Sequence, residues 1–96
     1  MSQYLKPTLY NLALTLAATE YPQALPADTR KILIRERTGV YDLQLSYASG
    51  QSGVVFFTIP AGSSKMIENL YLHPNFSTIY LQCAQAGVTV EIEAWQ

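Results

Sequence analysis

The chain has 96 residues, of which 49 % are apolar and only 14 % charged, and six Lys/Arg against seven Asp/Glu give a formal net charge of −1. That length suits one domain with a core of its own, and the charged share is well below the roughly 25 % of ordinary soluble domains. A balance this close to neutral lacks the basic face that nucleic-acid binding requires, while a surface so poor in charge is suited to cover by other subunits.

Residues 8–20 fit two periodicities. Leu9, Leu12, Ala13 and Leu16 make a helical stripe, and Tyr10, Leu12, Leu14 and Leu16 make a strand pattern. A strand is favoured, because the rest of the chain reads as β. Pro22 and Pro26 follow, and 22–29 is expected to be an extended loop with a turn. Next come Ile32 and Ile34, alternating with Lys31 and Arg35, with Leu33 on the polar side. Tyr41, Leu43, Leu45 and Tyr47 alternate cleanly with Asp42, Gln44 and Ser46. Val54 to Ile59 is a continuous apolar and β-branched run ending at Pro60, the pattern of a strand buried on both faces.

Lys65 to Leu72 is a further strand candidate, with Ile67, Asn69 and Tyr71 opposing Met66, Glu68, Leu70 and Leu72. From Thr78, Ile79, Leu81 and Cys83 share a face opposite Tyr80 and Gln82. The last strand has Val88, Val90, Ile92 and Ala94 on one side and Thr89, Glu91, Glu93 and Trp95 on the other. Turn chemistry separates these runs at Thr38-Gly39, Ala48–Gly53, Pro60–Ser63, His73–Phe76 and Gln85–Gly87. Short strands at such spacing predict an all-β fold, a two-sheet antiparallel β-sandwich of seven or eight short strands with jelly-roll or Greek-key connections. The expected division is an N-terminal arm over 1–9 and a single sandwich domain over 10–96.

Few residues are equipped for chemistry. One His and one Cys, His73 and Cys83, fall short of the three or four ligands of a metal site, so no metal or other cofactor is expected. His73, in a turn before Pro74, reads as a solvated loop residue, and no Gly-x-Ser-x-Gly elbow accompanies it. Cys83 can form no intrachain disulfide and reads as a buried small hydrophobe. Glu91 and Glu93 share a strand face about 7 Å apart by strand rise, a spacing explained by keeping an outer face wet. Gly50-Gln51-Ser52-Gly53 has no following Lys and leads into a strand, so it makes no phosphate loop. The cluster Arg30, Lys31, Arg35 and Arg37 reads as a solvated strand face. No signal sequence is expected from Met1–Pro7, and no stretch reaches 18 apolar residues, so no membrane partner is expected. The chain reads as a non-enzyme.

Seven tyrosines and one tryptophan are the remaining signal. Tyr80 and Trp95 fall opposite the apolar sets of their strands, and such side chains are enriched in binding hot spots. Coverage of that second face within the domain explains them equally well.

Several strings together carry a resemblance: Ala24–Lys31 running into Ile32–Arg35, Asp42–Leu45, Phe57–Ser64 with its Ile-Pro-Ala-Gly turn, Asn69–Leu72, Thr78–Leu81 and Val90–Trp95. The chain resembles small β-sandwich structural proteins of tailed bacteriophages and prophages, the head decoration or cement proteins. The resemblance implies a virion component assembled in the host cytoplasm, whose partners are other copies of itself and a major capsid protein. It implies a homo-oligomer, with a trimer as the natural guess. Residues 1–9 would then be an arm that orders on a neighbour, which makes Tyr4 and Leu5 candidate interface residues beside Tyr80 and Trp95. A neck or tail subunit, or a small carbohydrate- or receptor-binding sandwich, is the alternative.

Overall fold

A computed structural model describes residues 6–68 and 78–96. Among these residues eight strands run in chain order as β1 (Thr8–Leu14), β2 (Tyr21–Ala24), β3 (Lys31–Glu36), β4 (Leu43–Ser46), β5 (Phe57–Ile59), β6 (Ser64–Ile67), β7 (Thr78–Gln82) and β8 (Val88–Trp95). They form two antiparallel sheets of four, ordered β1-β8-β3-β6 and β2-β7-β4-β5. First pairs with eighth, second with seventh, third with sixth and fourth with fifth. A long hairpin rolled into two layers gives this order, so of the two connectivities the sequence allowed the chain adopts the jelly roll.

Alternation decides which side chains meet between the layers. Val88, Val90, Ile92 and Ala94 of β8 are buried, and so are Ile32 and Ile34 of β3 beside them. The facing sheet contributes Leu43, Leu45, Ile59, Ile79 and Leu81, with Cys83 just past the end of β7. At about 25 cal/mol per Å² of apolar surface withdrawn from water, this one cluster is the main stabilising term.

Residues 8–14 form the favoured strand, and Tyr10, Leu12 and Leu14 point inward as its pattern requires. Leu16 lies past its end and is exposed. β1 begins at Thr8, so Thr8 and Leu9, expected in the arm, belong to the sheet.

Three expectations need correction. The stretch expected to be loop after Pro22 includes β2. Pro22 is tolerated there because β2 is an edge strand, paired on one side only with β7, so no ladder needs its missing N–H. Tyr41 and Tyr47 lie outside β4 and are exposed, so the clean alternation covers only its middle. The Val54–Ile59 run is not a strand buried on both faces: only Phe57–Ile59 is strand, again at an edge, and Val54 and Val55 lie in a turn with Val55 N donating to Gln51 O at 2.9 Å. Of the candidate strand 65–72, Ser64–Ile67 is observed as β6, and the remainder from Asn69 lies outside the described residues, as does His73.

The two long sides of the sandwich differ. On one, β1 and β2 are tied by the Tyr21 hydroxyl, which lies 2.8 Å from Thr15 Oγ1 and accepts from Leu16 N at 3.0 Å. Ala18 N adds a bond to Cys83 O at 2.7 Å. On the other, β5 ends one sheet and β6 the other, and Phe57, on the inward side of β5 opposite Leu45, remains half exposed.

Candidate functional site

The longest connection among the described residues, 47–56, joins β4 to β5 and folds back over the outer face of the second sheet. Ser52 anchors it. This residue is fully buried, with its hydroxyl 2.8 Å from Gln82 Oε1, an outward side chain of β7. Ser46, also outward on β4, is buried beneath the same loop and receives the Ala48 amide on its hydroxyl at 3.2 Å.

Beyond Ser52 the loop turns its apolar residues to the outside. Val54 and Val55 are each 71 % exposed, Phe57 52 %, Phe56 41 % and Tyr47 40 %. With Leu45 beneath them, Tyr47, Val55, Phe56 and Phe57 line a hollow of about 330 Å³. Burial pushes the Tyr47 phenol above its ordinary range. Lone exposed apolar side chains are common, but a contiguous patch of them beside a strand edge is the usual mark of a contact surface.

The four expected interface residues do not converge. Tyr4 and Leu5 lie outside the described residues. Tyr80 sits mid-strand in β7, half-buried and flanked by Pro22 of β2 and Ser46 of β4. Trp95 ends β8 on the outer face of the other sheet, with Lys31 Nζ 4.6 Å from its ring centroid. The two aromatic residues therefore lie on opposite outer faces, and each has neighbours within the domain, in line with the covered-face alternative.

Several charged residues are engaged locally. Glu91 receives Arg35 Nε on Oε1 at 2.8 Å and Arg37 Nε on Oε2 at 2.9 Å. Those hydrogen bonds, from Arg35 and then Arg37, hold its carboxyl below the ordinary range. Glu91 is thus held between two arginines. Arg30 donates to Gln96 O at 3.0 Å. Among the described residues no group of three His, Cys, Asp or Glu could hold a metal ion.

Two acidic residues matter more than the sequence signalled. Glu36 points inward at the end of β3 and is 5 % exposed. Its Oε1 accepts from Thr38 Oγ1 at 2.7 Å, Val40 N at 3.0 Å and Tyr41 N at 3.2 Å, and its Oε2 accepts from Thr38 N at 2.8 Å. Burial alone would raise its pKa, but these bonds outweigh it and lower the carboxyl to about 2. Its position two residues past Ile34 was the available signal. Glu20 accepts from Gly50 N and Ser52 N, some thirty residues on in sequence. No local pattern marks a carboxylate whose partners are distant peptide amides.

No family model matches the chain, and neither the curated proteins nor the solved structures contain a significant match to it. The exposed patch at β5 is the feature from which a function can be argued.

Proposed function

We propose that this chain is a non-enzymatic structural subunit that works through protein–protein contact, and that it serves as a head decoration subunit of a tailed bacteriophage. The contiguous apolar surface of Tyr47 and Val54–Phe57 carries the first half of that reading. Side chains of this size and exposure offer roughly 500 Å² of largely apolar surface. A second copy covering it would bury about 1,000 Å² counted on both partners, close to the lower bound for a specific interface. The patch residues are themselves uncharged, and a charged neighbour, Lys65, sits over the Phe57 ring at the margin. A second copy of this chain is accordingly its occupant, in a closed ring where each patch meets the next subunit.

The virion half rests on the sequence resemblance. The jelly roll is compatible with it, being common in viral capsid proteins, but it also occurs in lectins, and a fold does not fix a function. Tyr80 and Trp95 occupy opposite surfaces and form no sugar platform together; Tyr47, Phe56 and Phe57 do share one, and a glycan array separates that occupant from a second copy.

Two measurements test the reading. Sedimentation of the full chain should show self-association that Val55→Asp abolishes without shifting Tm; a wild-type chain that stays monomeric at high concentration removes the contact role. Quantitative mass spectrometry of purified particles should find a copy number comparable to the major capsid protein. A handful of copies would relocate the subunit to the neck or tail, and absence from clean particles would end the virion reading.

A further inference from the structure

The loop that bears the patch has little packing of its own. Apart from Ser52, and Gln51 in part, residues 47–58 are exposed. A segment with so few apolar contacts should not hold one course unaided. Its course is set instead by Glu20, which belongs to the link between β1 and β2. Glu20 Oε2 accepts from Gly50 N at 2.7 Å, and Oε1 accepts from Ser52 N at 3.0 Å and Ser52 Oγ at 2.6 Å.

Gln82 lies on the far side of Ser52, whose single hydroxyl hydrogen serves either Glu20 or Gln82 Oε1 at one time. The Ser52 hydroxyl lies 2.8 Å from Gln82 Oε1, and a Cβ on the next residue, Gly53, would stand 3.2 Å from Gln82 Nε2. The chain thus passes between a carboxylate on one element and an amide side chain on another. Immediately afterwards Val54 N and Val55 N both donate to Gln51 O at 2.9 Å. That turn, built on the residue between Gly50 and Ser52, turns the two valines to the outside.

We propose that Glu20 is a positioning residue for the contact surface: it holds the 48–53 backbone in the one course that presents Val54, Val55 and Phe56 ready for a partner. The proposal rests on the reading of the patch as an interface. A loop ordered in advance spares the partner the ordering entropy that a mobile one would exact on binding. Charge-assisted hydrogen bonds are among the stronger ones, and here two from backbone amides and one from a hydroxyl converge on one side chain. The bonds to Gly50 and Ser52 involve the peptide backbone itself, so Glu20 acts on the loop without touching the patch. Hydrogen bonding to Ser52, opposed by desolvation and joined by the Gly50 and Ser52 amides, keeps the carboxyl below its ordinary range, so the latch is ionised near neutrality.

The experiment compares the full wild-type chain with Glu20→Gln, Ser52→Ala and Val55→Asp. Amide hydrogen exchange at Gly50, Ser52, Val54 and Val55 should quicken about tenfold to a hundredfold in Glu20→Gln, the range expected for losing charged hydrogen bonds. Amides of Ile34 and Ile92 should be unchanged. Self-association, followed by sedimentation, should weaken about tenfold in Glu20→Gln and Ser52→Ala. Fast loop exchange with wild-type association in Glu20→Gln, while Val55→Asp fails to associate, overturns the latch and leaves the patch standing. Unchanged loop exchange overturns the latch as well. If Val55→Asp associates like wild type, the patch reading itself falls and the latch with it.

Discussion

Lys65 of β6 reaches across the open side of the sandwich and places its ammonium 3.9 Å from the ring centroid of Phe57 on β5. The two residues end different sheets, so this cation–π contact ties together layers that share no hydrogen-bond ladder there. Its strength is expected to be about 0.5–1 kcal/mol at such a half-exposed site. A double-mutant cycle of Lys65→Met and Phe57→Leu, read by urea unfolding, should return a coupling of that size. Zero coupling would mean that the edges are held only by the core between them.

Glu36 makes stability depend on acidity. Its carboxyl lies at about 2, against an ordinary value of 4.5. A depressed carboxylate stabilises the fold above the unfolded value, and the contribution is lost as pH falls from about 4.5 through about 2. The gap corresponds to about 3 kcal/mol as an order of magnitude. Glu36→Gln should therefore destabilise the domain by about 2–3 kcal/mol at pH 7, and the difference from wild type should shrink toward pH 2. Urea midpoints across that range check it; a constant difference would assign the loss to packing rather than charge.

The Glu91 clamp should behave differently. Arg35 and Arg37 are largely exposed, so water and salt screen both contacts. Glu91→Gln should lower Tm by less than Glu36→Gln does, and the loss should fade in about 1 M NaCl, where charges are screened beyond roughly 3 Å. A loss unaffected by salt would point to strand geometry as the cause.

Cys83 is 1 % exposed, with Gln85 N donating to its sulfur at 3.4 Å. Thiol reagents need an accessible thiolate. Labelling in native buffer should run at least about a hundredfold slower than in urea, limited by opening of the fold. Equal rates would show that the β7–β8 end opens freely.

Much of the fold was legible because burial on one face leaves a period of two. Val88–Trp95 and Ile32–Ile34 carry that period, and both lie where one side meets the core and the other meets solvent. The Val54–Ile59 run has no period. A stretch buried on both faces and a stretch turned outward look alike in sequence, and only the turn onto Gln51 O separates them. Tyr21–Ala24 was obscured by Pro22, whose meaning depends on whether a strand lies at an edge. The candidate surface was legible only in kind. Tyr80 and Trp95 announced outward aromatics correctly, but whether such residues meet a partner depends on what covers each face. The parts played by Glu20 and Glu36 stayed hidden because their partners are backbone amides, which no residue type names.

The register that sets Thr8 opposite Ala94 and Leu14 opposite Val88 also decides how the domain bears load. A pull between the start of β1 and the end of β8 acts across their ladder at one end rather than along it. Bonds so loaded break in succession, as in a zipper, whereas strands pulled lengthwise must break together. Tethered by those two points, the domain would peel at low force from its β1 edge.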